Sequence, residues 1–144
     1  MLEICKTILL RDLAALRREL EQYPDDASLW RVMPGITNPG GNLALHLAGN
    51  LQFFIGEQLG HSGYVRDRER EFQARGLGRA QVIEEIDAAA KAVGDTLSTL
   101  DPRVLEQPSP APAGGGRSLV HLCAHLGYHL GQVNYHRRLG GAVR

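Results

Sequence analysis

Three histidines at successive steps of four, His121, His125 and His129, lie in the run His121-Leu-Cys-Ala-His125-Leu-Gly-Tyr-His129-Leu-Gly-Gln132 near the C-terminus. On an α-helix each step of four advances about 400°, so neighbouring histidines sit about 40° apart and about 6 Å along the axis. One helix face therefore carries an imidazole stripe. Imidazole is the commonest protein metal ligand, and two histidines at i and i+4 can grip one ion as the helical H-E-x-x-H motif does. Spacing alone permits His121 with His125 as readily as His125 with His129, and a further ligand must come from elsewhere in the chain.

His46 is the upstream candidate, within Asn42-Leu-Ala-Leu-His46-Leu-Ala-Gly-Asn50. Apolar residues surround it on most sides. A group that is costly to bury needs a partner there, and that partner is either a hydrogen-bonding group of the core or a metal ion. His136 returns to the helical histidine face but precedes Arg137-Arg138, and His61 sits in a glycine-flanked turn; both are expected to be solvated surface residues.

These residues need rigid elements to hold them. The first periodic segment runs from Leu2 to Tyr23, with apolar residues spaced by three or four, and stops at Pro24. The segment from Asp25 to Gly41 ends in the turn signal Asn38-Pro-Gly-Gly, so Asn42 is expected to cap a second helix reaching about Leu59. From His61 to Gly78 the chain is polar, with glycines at its limits, which predicts a loop containing one short helical turn. A third helix is expected from about Arg79 to Leu100, ended by Asp101-Pro102. Pro108-Ser-Pro-Ala-Pro-Ala-Gly-Gly-Gly then reads as a loop crossing to the last helix, capped by Ser118 and closed by Gly140-Gly141.

Four amphipathic helices of about twenty residues, without a convincing alternating strand, predict an all-α four-helix bundle about 30 Å long. At 144 residues the chain is expected to be one domain. Facing helices of a bundle share a core, where His46 with His125 and His129 would offer three neutral nitrogens on one side of an ion. The remaining positions would stay open, as in catalytic rather than structural zinc sites.

Composition narrows the function. Sixteen basic residues balance sixteen acidic ones and no basic cluster appears, so nucleic-acid binding has no electrostatic support. Cys5 and Cys123 form no C-x-x-C pair, which argues against a disulfide framework and a thiolate metal site. The N-terminus lacks a signal-peptide pattern and no run of eighteen apolar residues occurs, so a cytoplasmic protein without a membrane role is expected.

The pattern H-x-x-x-H-x-x-x-H-x-G-Q, filled by His121, His125, His129, Gly131 and Gln132, resembles the closing helix of the DinB-like superfamily of damage-inducible and related bundle proteins. Gly41-Asn-Leu-Ala-Leu-His46-Leu-Ala-Gly-Asn50 resembles that family's second-helix motif. The resemblance implies a bundle whose metal is held by His46, His125 and His129, with His121 beside the pocket, and it implies a homodimer. Leu130 stands where arginine is frequent in the family.

The resemblance further implies a metal-dependent enzyme that transfers a low-molecular-weight thiol such as mycothiol, bacillithiol or glutathione, the ion favouring the thiolate. Metal-activated hydrolysis is the variant. A hydrolase usually keeps a carboxylate base near the water, and Glu57, nearly three turns from His46, is the acid on the His46 stripe, which favours transfer. A non-catalytic small-molecule or partner-binding bundle with a vestigial site is the reading from another class. Zinc or nickel is the expected ion, with iron or manganese also suited to imidazole. Asn50, Tyr128 and Gln132 are expected near the ligands, with Trp30 and Tyr64 lining the mouth.

Overall fold

The computed structural model describes residues 1–107 and 115–142, excluding the side chains of 115–118 and 141–142. Helix α1 spans Leu2–Glu21, α2 Gly40–Leu51, α3 Arg68–Gln73, α4 Arg79–Thr99 and α5 Gly115–Ala142, and no strand occurs among the described residues. The fold is the expected all-α bundle. Single 3-10 turns at Ala27–Trp30 and Pro102–Glu106 interrupt the connections. None of the described helices is long and apolar enough to cross a membrane.

The apolar spacing of α1 places Leu9, Leu13, Leu16 and Leu20 on one fully buried stripe. Burying each such side chain contributes about 2 kcal/mol. The stripe packs against α4 and α5, and α2 packs against the same two helices. Chain neighbours α1 and α2 are therefore diagonal across the bundle, and so are α4 and α5. This arrangement explains the long connections before α2 and before α5. The Pro108–Gly114 part of the second connection lies outside the described residues.

Every residue of α2 is buried. Its start differs from the sequence expectation: the helix begins at Gly40, and Asn42 is a core residue rather than its cap. The reason is close packing. A Cβ on Gly40 would lie 2.1 Å from Tyr23 Oη, and one on Gly41 would lie 2.8 Å from the Trp30 ring, so the two glycines read as a turn let the first helical turn sit against α1's end and the Trp30 segment. Beyond Leu51 the helix widens into a π-helical turn, Gln52–Glu57, with Gln58 N–H donating to Phe53 O. At the other end of the chain, α5 already includes Gly115 and continues to Ala142, so Ser118 does not cap it and Gly140-Gly141 does not close it.

Residues 58–78 fold over α2, with α3 as their one short helix. Asp67 caps α3 by accepting from Arg70 N–H at 3.0 Å. Asn42 anchors the far end: its side-chain amide donates to Glu71 O at 3.0 Å and Ala74 O at 2.9 Å, and its Oδ1 accepts from Arg75 at 2.7 Å. A buried Asn so satisfied fixes the segment's position rather than weakening the core.

Candidate metal centre

Helix α2 presents His46 toward α5, where one helical turn separates His125 from His129. Ring centroids are 5.0 Å apart for His46 and His125, 5.4 Å for His46 and His129, and 4.6 Å for His125 and His129. One ligand atom from each of the three lies within 4.8 Å of the others. The Nε2 atoms of His46 and His125 are 3.1 Å apart. Two nitrogens each about 2.1 Å from a shared ion, at 90–110° to one another, would be about 3.0–3.4 Å apart, so this separation fits chelation.

The far side of His46 settles which nitrogen is free. Its Nδ1 lies 3.1 Å from Glu71 Oε1, and Arg66 grips the same carboxylate through Nε to Oε2 and Nη2 to Oε1, both at 2.9 Å. Glu71 is 3% exposed. Burial alone would push its carboxyl up, but the hydrogen bonds from His46 and Arg66, with the Arg66 charge, outweigh that and hold it below the usual carboxylate range. An ionised carboxylate only accepts, so His46 Nδ1 carries a proton toward Glu71 and Nε2 is the nitrogen left to ligate. Arg66 Nη2 also sits 3.4 Å from His46 Nδ1, a contact between two donors that carries no bond.

His129 is set the same way: Nδ1–H donates to Gln132 Oε1 at 2.6 Å, which leaves Nε2 bare. His125 is different. Burial first, then the neighbouring His129, His46, His121 and Arg66, push its imidazole down to about 4. Burial also lowers His129, against the Gln132 bond. Two of the three candidate ligands are thus held neutral, the form that binds metal. Among the described residues, two buried side-chain polar atoms lack a partner, His125 Nδ1 and Asn50 Oδ1, and Asn50 stands one turn along α2 from His46. The donor set, three imidazoles with a carboxylate behind one of them, fits a borderline divalent ion.

His121 is exposed and stacks on His125 at a centroid distance of 6.1 Å, outside the three-histidine group. Tyr128 is exposed with its ring 5.2 Å from that of His129, and with Gln132 it lines a cleft of about 770 Å³ along α5. Trp30 does not line a mouth: it is buried over Gly41, its Nε1–H donating to Leu77 O at 2.8 Å. Tyr64 is half-buried beside Glu71 in a second, smaller cleft. His136 is buried rather than solvated. Its Nδ1 accepts from Tyr23 Oη at 2.8 Å and Gly40 N–H at 3.2 Å, and Nε2–H donates to Arg31 O at 2.9 Å.

Glu71 and Arg66 are the residues that sequence reasoning passed over. The acid facing His46 is Glu71, not Glu57, which accepts from the Gly63 amide. The available signal was Gly49: a Cβ there would lie 2.0 Å from Glu71 Oε2, so the glycine one turn from His46 makes room for a carboxylate.

No curated protein and no solved structure matches the chain. The sequence model of the DinB superfamily matches residues 8–133, a stretch that contains His46, Glu71, His125 and His129. With that match over most of its length, and a helical bundle gathering three histidines where a divalent metal fits, the chain belongs to the DinB superfamily.

Proposed function

We infer that this protein is a metal-dependent enzyme of the thiol S-transferase type, with His46, His125 and His129 as ligands of one divalent ion, zinc or nickel. Bound there, the ion supplies the positive charge that favours the thiolate of a low-molecular-weight thiol. In the transfer, the thiolate sulfur forms a bond to an electrophilic carbon, the leaving group departs with the electron pair of the bond that breaks, and the thiol proton passes to solvent.

One observation supports transfer over hydrolysis. Glu71, the acid facing the histidines, is committed to His46 and to both donors of Arg66, so it has no free oxygen positioned to take a proton from an attacking water. Thiol transfer needs no such base once the thiolate is favoured. The residues' own tasks are then orientation and exclusion: Glu71 and Gln132 fix the ligand tautomers, and the bundle core shields one side of the site from solvent.

The test uses tag-free protein stripped by chelator and reloaded with zinc or nickel. Conjugation of glutathione or cysteine to 1-chloro-2,4-dinitrobenzene should appear with metal and vanish in a His46→Ala variant. Esterase turnover without thiol dependence, or no metal-dependent reaction with any thiol, overturns the reading.

A further inference from the structure

The cleft along α5 begins at the candidate metal centre. His129 and Gln132 line one end of it, and the 35–38 segment, turned by Gly35 at φ 76°, forms the opposite wall. Ile36, Leu43, Tyr128, Tyr135 and Leu139 supply its apolar surface. Tyr128 and Tyr135 are 67% and 65% exposed, which is unusual for two large aromatic side chains two turns apart on one helix face.

We propose that this cleft binds the electrophilic substrate of the transfer reaction, and that the substrate is a neutral aromatic molecule bearing an acceptor oxygen. The assignment of substrate rests on the transferase reading; the binding site does not. Its volume falls within the range of small-ligand sites, which are mostly apolar with a few placed polar groups.

Charge selects the class. No Asp, Glu, Lys or Arg side chain lines the cleft among the described residues. Arg138 stacks on the Tyr135 ring at 5.5 Å and Arg31 donates to Gly140 O at 2.7 Å, and both stand outside the lining. His136, which does line it, is neutral because its Nδ1 accepts from Tyr23 and Gly40. An anionic group seated among these side chains, away from the histidine end, would lose water without gaining a cationic side chain in the lining. Two tyrosine rings instead offer faces and edges to an aromatic ring. At the end nearest the histidines, Gln132 spends its Oε1 on His129, which leaves its amide N–H groups to donate to a ligand oxygen.

The experiment titrates metal-free, full-length protein with a matched pair, neutral 1-naphthol and anionic 1-naphthoate, by calorimetry, with amide chemical shifts locating the site. Naphthol should bind about tenfold more tightly than naphthoate or better, and shift the amides of Gly131, Gln132 and Tyr135. Tyr135→Ala should weaken naphthol about fivefold, and Leu139→Ala should weaken it in the same direction. Zinc-loaded protein should bind naphthol as tightly as metal-free protein does, so a failed transferase assay and a failed cleft are told apart. Equal or tighter naphthoate binding, or shifts elsewhere, overturns the proposal. So does a dimer by light scattering that Tyr135→Glu dissociates and that excludes naphthol, because the stripe would then be a seam between two copies.

Discussion

Glu71 Oε1 lies 3.1 Å from Nδ1 of His46, on the side of the ring opposite the nitrogen that faces His125. Arg66 holds both oxygens of that carboxylate, so two side chains from one segment fix the imidazole. Partners behind a ligating histidine set its tautomer and raise its basicity, and their loss costs about 10–100-fold in metal affinity. Glu71→Gln should therefore lower zinc affinity by about tenfold or more in a chelator-competition titration, with the helical circular dichroism unchanged. Arg66→Ala leaves a buried carboxylate with one partner instead of two and should cost about 3 kcal/mol of stability by urea denaturation. Wild-type affinity in Glu71→Gln would remove the carboxylate from the site.

Gly49 gives a second, independent handle on the same carboxylate. Alanine in a helix interior is ordinarily better than glycine by about 1 kcal/mol. Here its Cβ would stand 2.0 Å from Glu71 Oε2 and 2.7 Å from Cδ, and the carboxylate must move. Gly49→Ala should lower metal affinity in the same sense as Glu71→Gln, and the double variant should be little worse than either single one. Fully additive losses would mean that the two substitutions act separately.

Proton competition follows from the ligands' burial. His125 is pushed down to about 4 and His129 is lowered, so both take up a proton at lower pH than an exposed imidazole does, about 6.5. Metal bound by these residues should be retained below pH 6.5 and released as pH falls toward 4. Elemental analysis after dialysis at stepped pH reads this directly. His121→Ala should follow the wild-type curve, and complete loss by pH 7 would contradict a ligand set containing His125 and His129.

Helices α1, α2, α4 and α5 were legible because their apolar residues recur every three or four positions, and the histidine pair was legible because i and i+4 share a face. What lay outside that logic was contact through space. Arg66-Asp-Arg-Glu-Arg-Glu71 alternates in charge with no periodic cue separating Glu71 from its neighbours, and its burial depends on a glycine more than twenty positions upstream. Gly40-Gly41 carries the composition of a turn, yet the pair starts a helix and is glycine because Tyr23 and Trp30 leave no room for a Cβ. The same crowding hides His136, whose flanking arginines suggest a surface.

His136, buried between Tyr23 and Arg31, ties protonation to folding. Burial holds its imidazole below the ordinary range, with the Arg31 carbonyl partly opposing. The unfolded chain consequently binds a proton on this side chain at higher pH than the folded one does. More protons on the unfolded state means that stability rises with pH, so this contribution is complete above about 6.5 and is lost as pH falls through the folded value. The neutral ring also accepts from Tyr23 and Gly40 and donates to Arg31 O, three partners that a leucine would leave unmet. His136→Leu should cost about 2–4 kcal/mol near pH 7.5, and the difference from wild type should narrow on acidification because the variant has no imidazole to protonate. Urea midpoints from pH 8 to 5.5 measure both effects. A constant difference across that range would mean that His136 packs without titrating.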